Sequence, residues 1–236
     1  MRSFWRTIDR GTLRDIGLVC LADAIVGASF GAITVSGGLR PWVPITMSVL
    51  VFAGGAQFAA AGVALAGGGP AAAVLAGLVL NARLLPYGFT VADAIGDRWW
   101  ARLPGAHLIV DESLAFTLRQ QGRERRRAAF WTSGLTLFLC WNVAVAAGAL
   151  AGAVMRDTSA FGLDAVFPTV LLALVLPSLT DRGARSAALL GAVIAVAATP
   201  FLPAGLPVLL ALAGLVLAVR PAVTVPDADP VPEEVH

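Results

Sequence analysis

A few charged side chains lie inside long apolar stretches of the sequence, where an unpaired charge is costly. The clearest is Arg83, in the segment LAGLVLNARLLPYGF, with Asn81 two residues before it and Pro86 three residues after it. Because a guanidinium stays ionised at any realistic pH, Arg83 must meet an anion or a cluster of carbonyl groups. The adjacent acids Asp111 and Glu112, in the next apolar stretch, are the expected partners.

The expected ion pair has two interpretations, and the sequence leaves both open. The pair either holds two helices together or lines a substrate cavity. Pro86 favours the cavity, because a broken helix exposes backbone groups only where it faces protein or water. Asp111 and Glu112 point about 100° apart on a helix. We therefore expect one of them to bind Arg83 and the other to face a cavity or a backbone amide.

Carboxylates inside apolar segments are also candidates for carrying protons. Two neighbouring acids in a medium of low dielectric constant repel each other when both are ionised, so one of them holds a proton more readily. This would suit proton coupling by Asp111 or Glu112. Asp23, in the first apolar stretch, is a separate candidate. As a lone acid, Asp23 could equally cap a break in the first helix.

Two clusters of small residues fall in the middle of apolar stretches. The first, GASFG, places Gly27 and Gly31 four residues apart, a spacing that favours close packing of helices. The second, FAGGAQF, contains Gly54, Gly55 and Gln57. Packing is one interpretation of this second cluster. The other is an unwound segment whose amides and Gln57 face a ligand, because the N-terminus of a half-helix attracts anionic groups.

The composition is that of a protein embedded in a lipid bilayer. Of the 236 residues, 58% are apolar and 14% are charged, whereas a typical soluble domain has about 25% charged residues. The mean hydropathy is +0.80. The 17 basic residues, all arginine, nearly balance the 15 acidic ones, which argues against a nucleic-acid partner. Disordered, collagen-like, coiled-coil and disulfide-scaffold proteins are excluded by the same composition.

The apolar stretches predict an all-α, polytopic membrane protein with about seven or eight transmembrane helical segments, some of them broken. A helix needs about 20 apolar residues to cross a bilayer. We expect a cytoplasmic N-terminal segment at 1–15, a transmembrane domain at 16–219, and a disordered, acidic, proline-rich tail at 220–236. The predicted segments are 16–35, 43–66, 71–92, 107–118, 128–154, 163–179, 187–199 and 206–219.

The placement of arginine predicts the orientation of these segments. Positive residues concentrate on the cytoplasmic side of membrane proteins. They cluster here before the first apolar stretch and again in RQQGRERRR (119–127). Placing both clusters inside requires an even number of crossings between them. Segment 107–118 therefore crosses as a fourth span, or it is a half-helix that returns to its own side and lowers the count.

Signatures of soluble enzymes and of metal sites are missing from the sequence. It contains no Walker loop, no GxSxG and no HExxH, and we expect neither enzyme activity nor a cofactor. Cys20 and Cys140 both lie in apolar stretches and are expected to be packing residues. The two histidines, His107 and His236, make no metal-ligand pattern.

Three motifs, in this order, resemble those of the AzlC family of branched-chain amino-acid permeases. They are FAGGAQF (52–58), NARLLPYG (81–88) and VDESLAF (110–116), and the resemblance covers most of residues 15–215. It implies a multi-pass protein of the bacterial inner membrane that exports valine, leucine, isoleucine or similar amino acids. It also implies proton coupling and a small AzlD-type membrane subunit as partner.

One position departs from the family pattern. Many members have a histidine directly after the arginine of the second motif quoted above, and here that residue is Leu84. If that histidine carries protons in those relatives, this chain must use Asp23, Asp111 or Glu112, or couple differently.

Chemical complementarity to an amino-acid zwitterion then assigns the site. The substrate carboxylate would bind Arg83 or the amides around Gly54, and its ammonium would bind the acids. Its apolar side chain would pack on Phe30, Phe52, Phe58 and Tyr87. The predicted substrate-binding residues are Arg83, Asn81, Asp111, Glu112, Gly54, Gly55, Gln57 and Tyr87, with Asp23, Asp111 and Glu112 as proton-coupling candidates. A facilitative channel for another small zwitterion and a non-transporting membrane scaffold remain the alternatives.

Overall fold

Helices make up the regular structure of the chain, as the sequence predicts. The computed structural model describes residues 7–96, 98–154, 172, 176–202 and 206–214, and no strand occurs among them. The helices are α1 (Arg10–Ser36), α2 (Trp42–Leu50), α3 (Gly54–Leu65), α4 (Pro70–Asn81), α5 (Leu84–Ile95), α6 (Trp99–His107), α7 (Asp111–Leu118), α8 (Arg123–Val154), α9 (Arg182–Ala198) and α10 (Leu206–Leu210), with a 3-10 helix at Leu176–Thr180.

Helix α1 is a single continuous helix. Asp9 caps it, because its carboxylate accepts hydrogen bonds from the N–H and the hydroxyl of Thr12 at 2.9 and 2.7 Å. These two hydrogen bonds hold the pKa of Asp9 below its ordinary value. Since the helix runs without interruption from Arg10 to Ser36, the alternative that Asp23 caps a break in it is wrong.

Helices α1 and α8 lie side by side and run in the same direction. Gly27 packs against Trp141, and Gly31, one turn further along α1, packs against Val145, one turn further along α8. A Cβ on Gly31 would overlap the carbonyl of Val145, so the two backbones touch there. The spacing of Gly27 and Gly31 therefore serves close helix packing, and this prediction is confirmed.

Because α1 and α8 are parallel, the two arginine clusters lie on one side of the bundle. Gln120 Nε2 donates to Thr12 Oγ1 at 3.4 Å, and Arg119 Nη1 lies 3.9 Å from Asp15 Oδ2. We call this the basic side, defined by the starts of α1 and α8 and the arginines of 119–127. The prediction that both clusters share one side is confirmed.

Helices α2 and α3 leave from the opposite side and return to it. Helix α2 starts shortly after α1 ends, and Leu65, the last residue of α3, packs against Gly37 at the end of α1. We call α2–α3 the first hairpin and residues 51–53 its tip. The prediction of one span over 43–66 is therefore wrong. At the tip, Phe52 has a φ of 40°, which a continuing helix does not allow.

Helices α4 and α5 make one crossing with a bend in it. Helix α4 starts four residues after the first hairpin ends on the opposite side. Helix α5 ends on the basic side, where Asp93 accepts two hydrogen bonds from Arg126 of α8, at 2.9 and 3.0 Å. The two helices are bent by 50° relative to each other at Ala82 and Arg83. The predicted interruption of segment 71–92 is confirmed.

Helices α6 and α7 form a second hairpin, this time from the basic side. Before α6, Gly96 lies against the guanidinium of Arg127 at the start of α8. After α7, Arg119 approaches Asp15 at the start of α1. Residues 108–110 form its tip. Segment 107–118 therefore does not cross from one side of the bundle to the other. The prediction of a fourth span is wrong, and the alternative, a half-helix that returns to its own side, is observed.

The two hairpins match each other along the chain. Helices α2 and α6 have nine residues each, and each is followed by a tip of three residues. Corresponding positions are 57 residues apart, so that Trp42 matches Trp99 and Gly54 matches Asp111. Each hairpin follows a crossing, and the two crossings run in opposite directions. Helices α1–α3 and α4–α7 thus form an inverted repeat, an arrangement that places both tips between the two sides.

The number of crossings falls short of the prediction within the described residues. Helices α1 and α8 are long and apolar enough to span a membrane, and the bent pair α4–α5 makes a third span. Helix α9 covers most of the predicted segment 187–199 and packs through Gly191 against Ala211. Most of segment 163–179, the end of segment 206–219 and the tail 220–236 lie outside the described residues.

Candidate functional site

Arg83 lies at the bend between α4 and α5, where it meets both hairpins. Its Nη2 is 2.7 Å from Oδ2 of Asp111, the first residue of α7. A Cβ built on Gly55, in the first turn of α3, would lie 3.5 Å from the same nitrogen. A guanidinium therefore sits between the N-termini of two half-helices, each of which carries a partial positive charge.

The predicted ion pair of Arg83 is present, and its partner is Asp111. The two side chains remain 53% and 41% exposed, so the chain does not enclose them in its core. Tyr87, one turn after Arg83 on α5, is near enough to Asp111 to interact with it electrostatically. The pair is thus held at a partly open position on the bundle.

Glu112, the second residue of α7, interacts electrostatically with two other acids. One is Asp111, its neighbour in the helix, and the other is Asp23 of α1. Glu112 and Asp23 are both half-buried, and two ionised carboxylates repel each other. Arg83 also interacts electrostatically with Glu112. The structure therefore pairs Asp111 with Arg83, places Glu112 next to that pair, and places Asp23 near Glu112.

The tip of the first hairpin presents bare backbone amides. Ala53, the N-cap of α3, has no polar side chain, so the first N–H groups of the helix lack a side-chain cap. A Cβ on Gly54 would lie 3.0 Å from Cη2 of Trp141, whereas a Cβ on Gly55 would point at Arg83. The two interpretations of this glycine cluster therefore apply to different residues, packing to Gly54 and an open amide to Gly55.

Gln57 is completely buried in the same turn, and only half of its amide is paired. Its Oε1 accepts a hydrogen bond from Nε1 of Trp141 at 3.1 Å. Its Nε2 has no hydrogen-bond partner among the described residues. Because an unpaired buried donor costs free energy, the free amide of Gln57 marks this turn as a place where a further acceptor would be favourable.

The remaining predicted residues divide between the site and the core. Asn81 ends α4, two residues before Arg83, and is half-buried. The expected apolar wall of Phe30 and Phe58 is wrong, because both are fully buried and pack edge-to-face with ring centroids 5.0 Å apart. They belong to the core between α1, α3 and α8. Phe52 is also buried, at the tip of the first hairpin.

The contacts that fix the two tips were not foreseen from the sequence. Helix α8 holds the first hairpin on both sides of its break: Ser48 of α2 donates to Asn142 at 2.6 Å, and Trp141 donates to Gln57 of α3. In the second hairpin, Ser113 Oγ accepts from the N–H of Val110 at 3.0 Å and donates to the carbonyl of Leu108 at 2.8 Å.

His107 joins the two tips and was also missed. Its Nε2 is 2.9 Å from the backbone oxygen of Val49. Because a carbonyl oxygen can only accept, Nε2 carries the proton in this contact. The ring packs against Phe52 and Phe138, with centroids 6.1 and 5.5 Å away. No sequence pattern pairs a lone histidine with a distant backbone carbonyl.

Metal and disulfide chemistry have little support in this part of the chain. The residues that the structure describes contain no group of three or more histidine, cysteine or acidic residues able to hold a metal ion. Cys20 and Cys140 are free thiols, and both pack in or against the core where α1 meets α8.

Together, the three crossings, the two re-entrant hairpins and the charged cluster between their tips define a polytopic membrane protein with a polar site inside the bundle. A family model described as AzlC protein matches residues 19–155, which is more than half of the chain and runs from α1 through both hairpins to the end of α8. The chain therefore belongs to the AzlC family, which is associated with membrane transport and not with enzymatic activity.

A similar protein occurs in Helicobacter pylori (strain ATCC 700392 / 26695), where it is described as an uncharacterized membrane protein. It is 27% identical over 204 residues, which is 85% of this chain and 88% of the relative. No solved structure matches the chain. The relative agrees with membrane insertion and adds nothing about a substrate.

Proposed function

We propose that this protein is a secondary transporter that exports branched-chain or similar small apolar amino acids across the bacterial inner membrane, with its N-terminus in the cytoplasm. Membership of the AzlC family supports transport. The observation that carries the choice of an amino acid is the position of Arg83, which lies between two half-helix N-termini, is paired with Asp111 and interacts with Glu112. Such a site offers both charges that a zwitterion needs.

The substrate carboxylate binds at Arg83 and the start of α3. A guanidinium has five N–H donors, and Asp111 engages one end of it. The uncapped amides of Gly54 and Gly55 add donors on the adjacent half-helix. The site therefore has three positive contributions, two helix N-termini and the Arg83 guanidinium, and Asp111 is the only carboxylate bound to the guanidinium. This excess of positive charge favours binding of a second anion. Gln57 is as deeply buried as Phe30 and Phe58 and is assigned no contact with the substrate.

The substrate ammonium binds at Glu112 and Asp23, helped by Asn81. Asp111 is already engaged by Arg83, whereas Glu112 and Asp23 repel each other when both are ionised. A cation between them relieves that repulsion. The apolar side chain of the substrate packs near Leu80 and Tyr87, which replace the buried phenylalanines in this role; Leu80 Cδ2 lies 3.8 Å from a Cβ built on Gly55.

Proton coupling follows from competition for the same two carboxylates. Either a proton or the substrate ammonium can relieve the repulsion between Glu112 and Asp23, but the two occupy the same place. A proton that enters from outside would displace the ammonium, and the amino acid would leave to the outside. The next amino acid, binding from the cytoplasm, would displace that proton to the cytoplasm. This exchange gives export driven by the proton gradient and needs no histidine after Arg83.

The test is efflux from bacterial cells that lack their own exporters and have been loaded with a dipeptide containing valine or leucine. The protein is expressed alone and with a small AzlD-type subunit, with and without a protonophore. We expect partner-dependent efflux that the protonophore stops. Absence of branched-chain amino-acid efflux, despite verified insertion and a matched partner, would contradict the proposal. Efflux unaffected by the protonophore would indicate a facilitative pathway.

A double variant tests the coupling step separately. Asp23→Asn with Glu112→Gln removes both titratable carboxyls and keeps polar groups of similar shape. We expect the residual efflux to become independent of the proton gradient. Glu124→Gln, at an exposed acid on the basic side, is the matched control and should leave the protonophore sensitivity intact.

A further inference from the structure

We infer that His107 is a positioning residue that latches the tips of the two hairpins together, and that this contact is the barrier which opens during transport. The latch extends the proposed function, because the substrate site at Arg83 adjoins it. The evidence for the latch is a separate set of contacts, however, and the latch can be tested without any transport substrate.

The latch joins the ends of the two half-helices that enter from opposite sides. Val49 lies in the last turn of α2, where carbonyl groups have no partner within the helix. His107 is the last residue of α6 and donates its Nε2–H to this carbonyl at 2.9 Å. This hydrogen bond connects the first hairpin to the second.

Aromatic rings pack beside this hydrogen bond. Phe52 packs edge-to-face on Phe138, with centroids 5.0 Å apart, and both rings contact His107. The tip of the second hairpin is itself buried, with Leu108 beside Gly134 of α8 and Ile109 beside Gly88 of α5. His107 thus joins the second hairpin to the first through a ring contact as well as a hydrogen bond. We place the barrier at this contact and call the rings of Phe52, His107 and Phe138 the plug.

Each hairpin keeps its own anchors when the latch is removed. The first is tied to α8 by the bonds of Ser48 and Gln57, and the second keeps its tip folded through Ser113. Since Asp111 starts α7 directly after the second tip, separation of the tips would also move Asp111 relative to Arg83. Opening of the barrier and release of the site are thus mechanically linked.

The experiment measures access to the plug from each side. In a background of Cys20→Ala and Cys140→Ala, Ile109→Cys reports on the tip through its labelling by a membrane-impermeant thiol reagent in right-side-out and inverted vesicles. His107→Phe keeps a ring against Phe52 and Phe138 and removes the hydrogen bond. We expect labelling to be faster by about fivefold from at least one side, the factor expected for loss of one hydrogen bond.

Two further variants distinguish a latch from a merely structural role. His107→Gln restores a donor and should bring the labelling rate back towards that of the unsubstituted chain. Leu50→Phe changes the corresponding, exposed position of the first hairpin and should change nothing. Labelling of folded His107→Phe protein at the unsubstituted rate would overturn the latch.

A transport readout connects the latch to function. If opening of the tips limits turnover, His107→Phe should raise the maximal efflux rate by a similar factor, about fivefold. An unchanged maximal efflux rate in a variant whose labelling is faster would contradict the link between the latch and transport. If no efflux is measurable for any variant, the labelling result still decides whether the latch exists, so failure of the latch and failure of the proposed function are distinguishable.

Discussion

The two hairpins share a backbone design and differ in chemistry. Each consists of a nine-residue entering helix, a three-residue tip and a second helix that leads back to the starting side. The first returns through Gly54 and Gly55 and offers amides, whereas the second returns through Asp111 and Glu112 and offers carboxylates. The same hairpin thus occurs twice, once with amides that can bind an anion and once with carboxylates that can bind a cation, and Arg83 lies between the two.

The hairpins are also held in different ways. Side chains of α8 fix the first hairpin on both sides of its tip, through Asn142 and Trp141. The tip of the second hairpin is hydrogen-bonded by its own Ser113 and packs through Leu108 against Gly134 of α8. Within the part of the chain that the structure describes, side-chain hydrogen bonds tie the first hairpin to α8, whereas packing holds the second. We therefore expect the second hairpin to move more readily during transport, taking Asp111 with it.

The largest effect is expected where both hairpins meet, at Arg83. Arg83→Ala removes the cation that faces α3 and leaves Asp111 without its partner. Because the ion pair is half exposed, most of the effect comes from the lost hydrogen bond to the substrate carboxylate, about 2 kcal/mol, which corresponds to a loss of about 30-fold in efflux rate. The measurement is initial efflux per inserted molecule. Arg40→Ala, in the exposed link between α1 and α2, is the control, and an equal loss there would remove the special role of Arg83.

A smaller effect separates the two glycines of the first hairpin. Gly55→Ala places a methyl group at ordinary contact distance, 3.5 Å from Arg83 Nη2, in the space assigned to the substrate carboxylate. We expect the KM to rise about tenfold, a loss of about 1.4 kcal/mol in binding, with the melting temperature unchanged. Gly54→Ala pushes on the Trp141 ring at 3.0 Å and should lower the melting temperature. The reverse assignment of the two effects would contradict this division.

Loss of one of the hydrogen bonds that anchor a tip should lower the free energy of unfolding by about 1 kcal/mol. Trp141→Phe leaves the buried amide of Gln57 unpaired in the first hairpin. Ser113→Ala leaves the backbone groups of Leu108 and Val110 unpaired in the second. Thermal unfolding in detergent measures both. Trp141→Phe should speed backbone hydrogen exchange in both the first hairpin and α8. Ser113→Ala should speed it only around the tip of the second hairpin. Faster exchange in α2 and α3 of the Ser113→Ala variant would argue against separate anchoring.

The smallest effects are expected at the entrances of the hairpins, where the two halves are alike. Trp42 and Trp99 occupy corresponding positions and are 60% and 73% exposed. Trp42→Phe and Trp99→Phe should each change the unfolding free energy by less than about 0.5 kcal/mol. Thermal unfolding of the two variants side by side checks this. A large loss of unfolding free energy in only one of the two variants would show that Trp42 and Trp99 are not equivalent.

Much of the site could be predicted because charges in apolar stretches must find partners. The pairing of Arg83 with an acid of the next segment follows from this rule alone. The close packing at Gly27 and Gly31 follows from a different rule, the four-residue spacing of small residues. The choice of Asp111 over Glu112 could not be predicted. It depends on the direction in which α7 leaves its tip, which the contacts of Ser113 determine.

The hairpins themselves escaped prediction for a physical reason. Residues 43–66 have the length and hydropathy of a helix that crosses the membrane. The contacts that break this stretch at residues 51–53 come from other parts of the chain. Trp141, Asn142 and His107 supply the contacts that hold the break open, and none of them lies near it in sequence. For the same reason Phe30 and Phe58 were assigned to a cavity wall, although they meet each other in the core.

The most direct test of a zwitterion site at Arg83 is a binding measurement on purified protein with three ligands of one shape. Valine carries both charges, isovalerate only the carboxylate and isobutylamine only the ammonium. Titration calorimetry should show that valine binds, that each singly charged analogue binds more weakly by about 100-fold, and that Arg83→Ala loses valine binding while it stays folded. Unchanged valine affinity in folded Arg83→Ala protein would contradict the site.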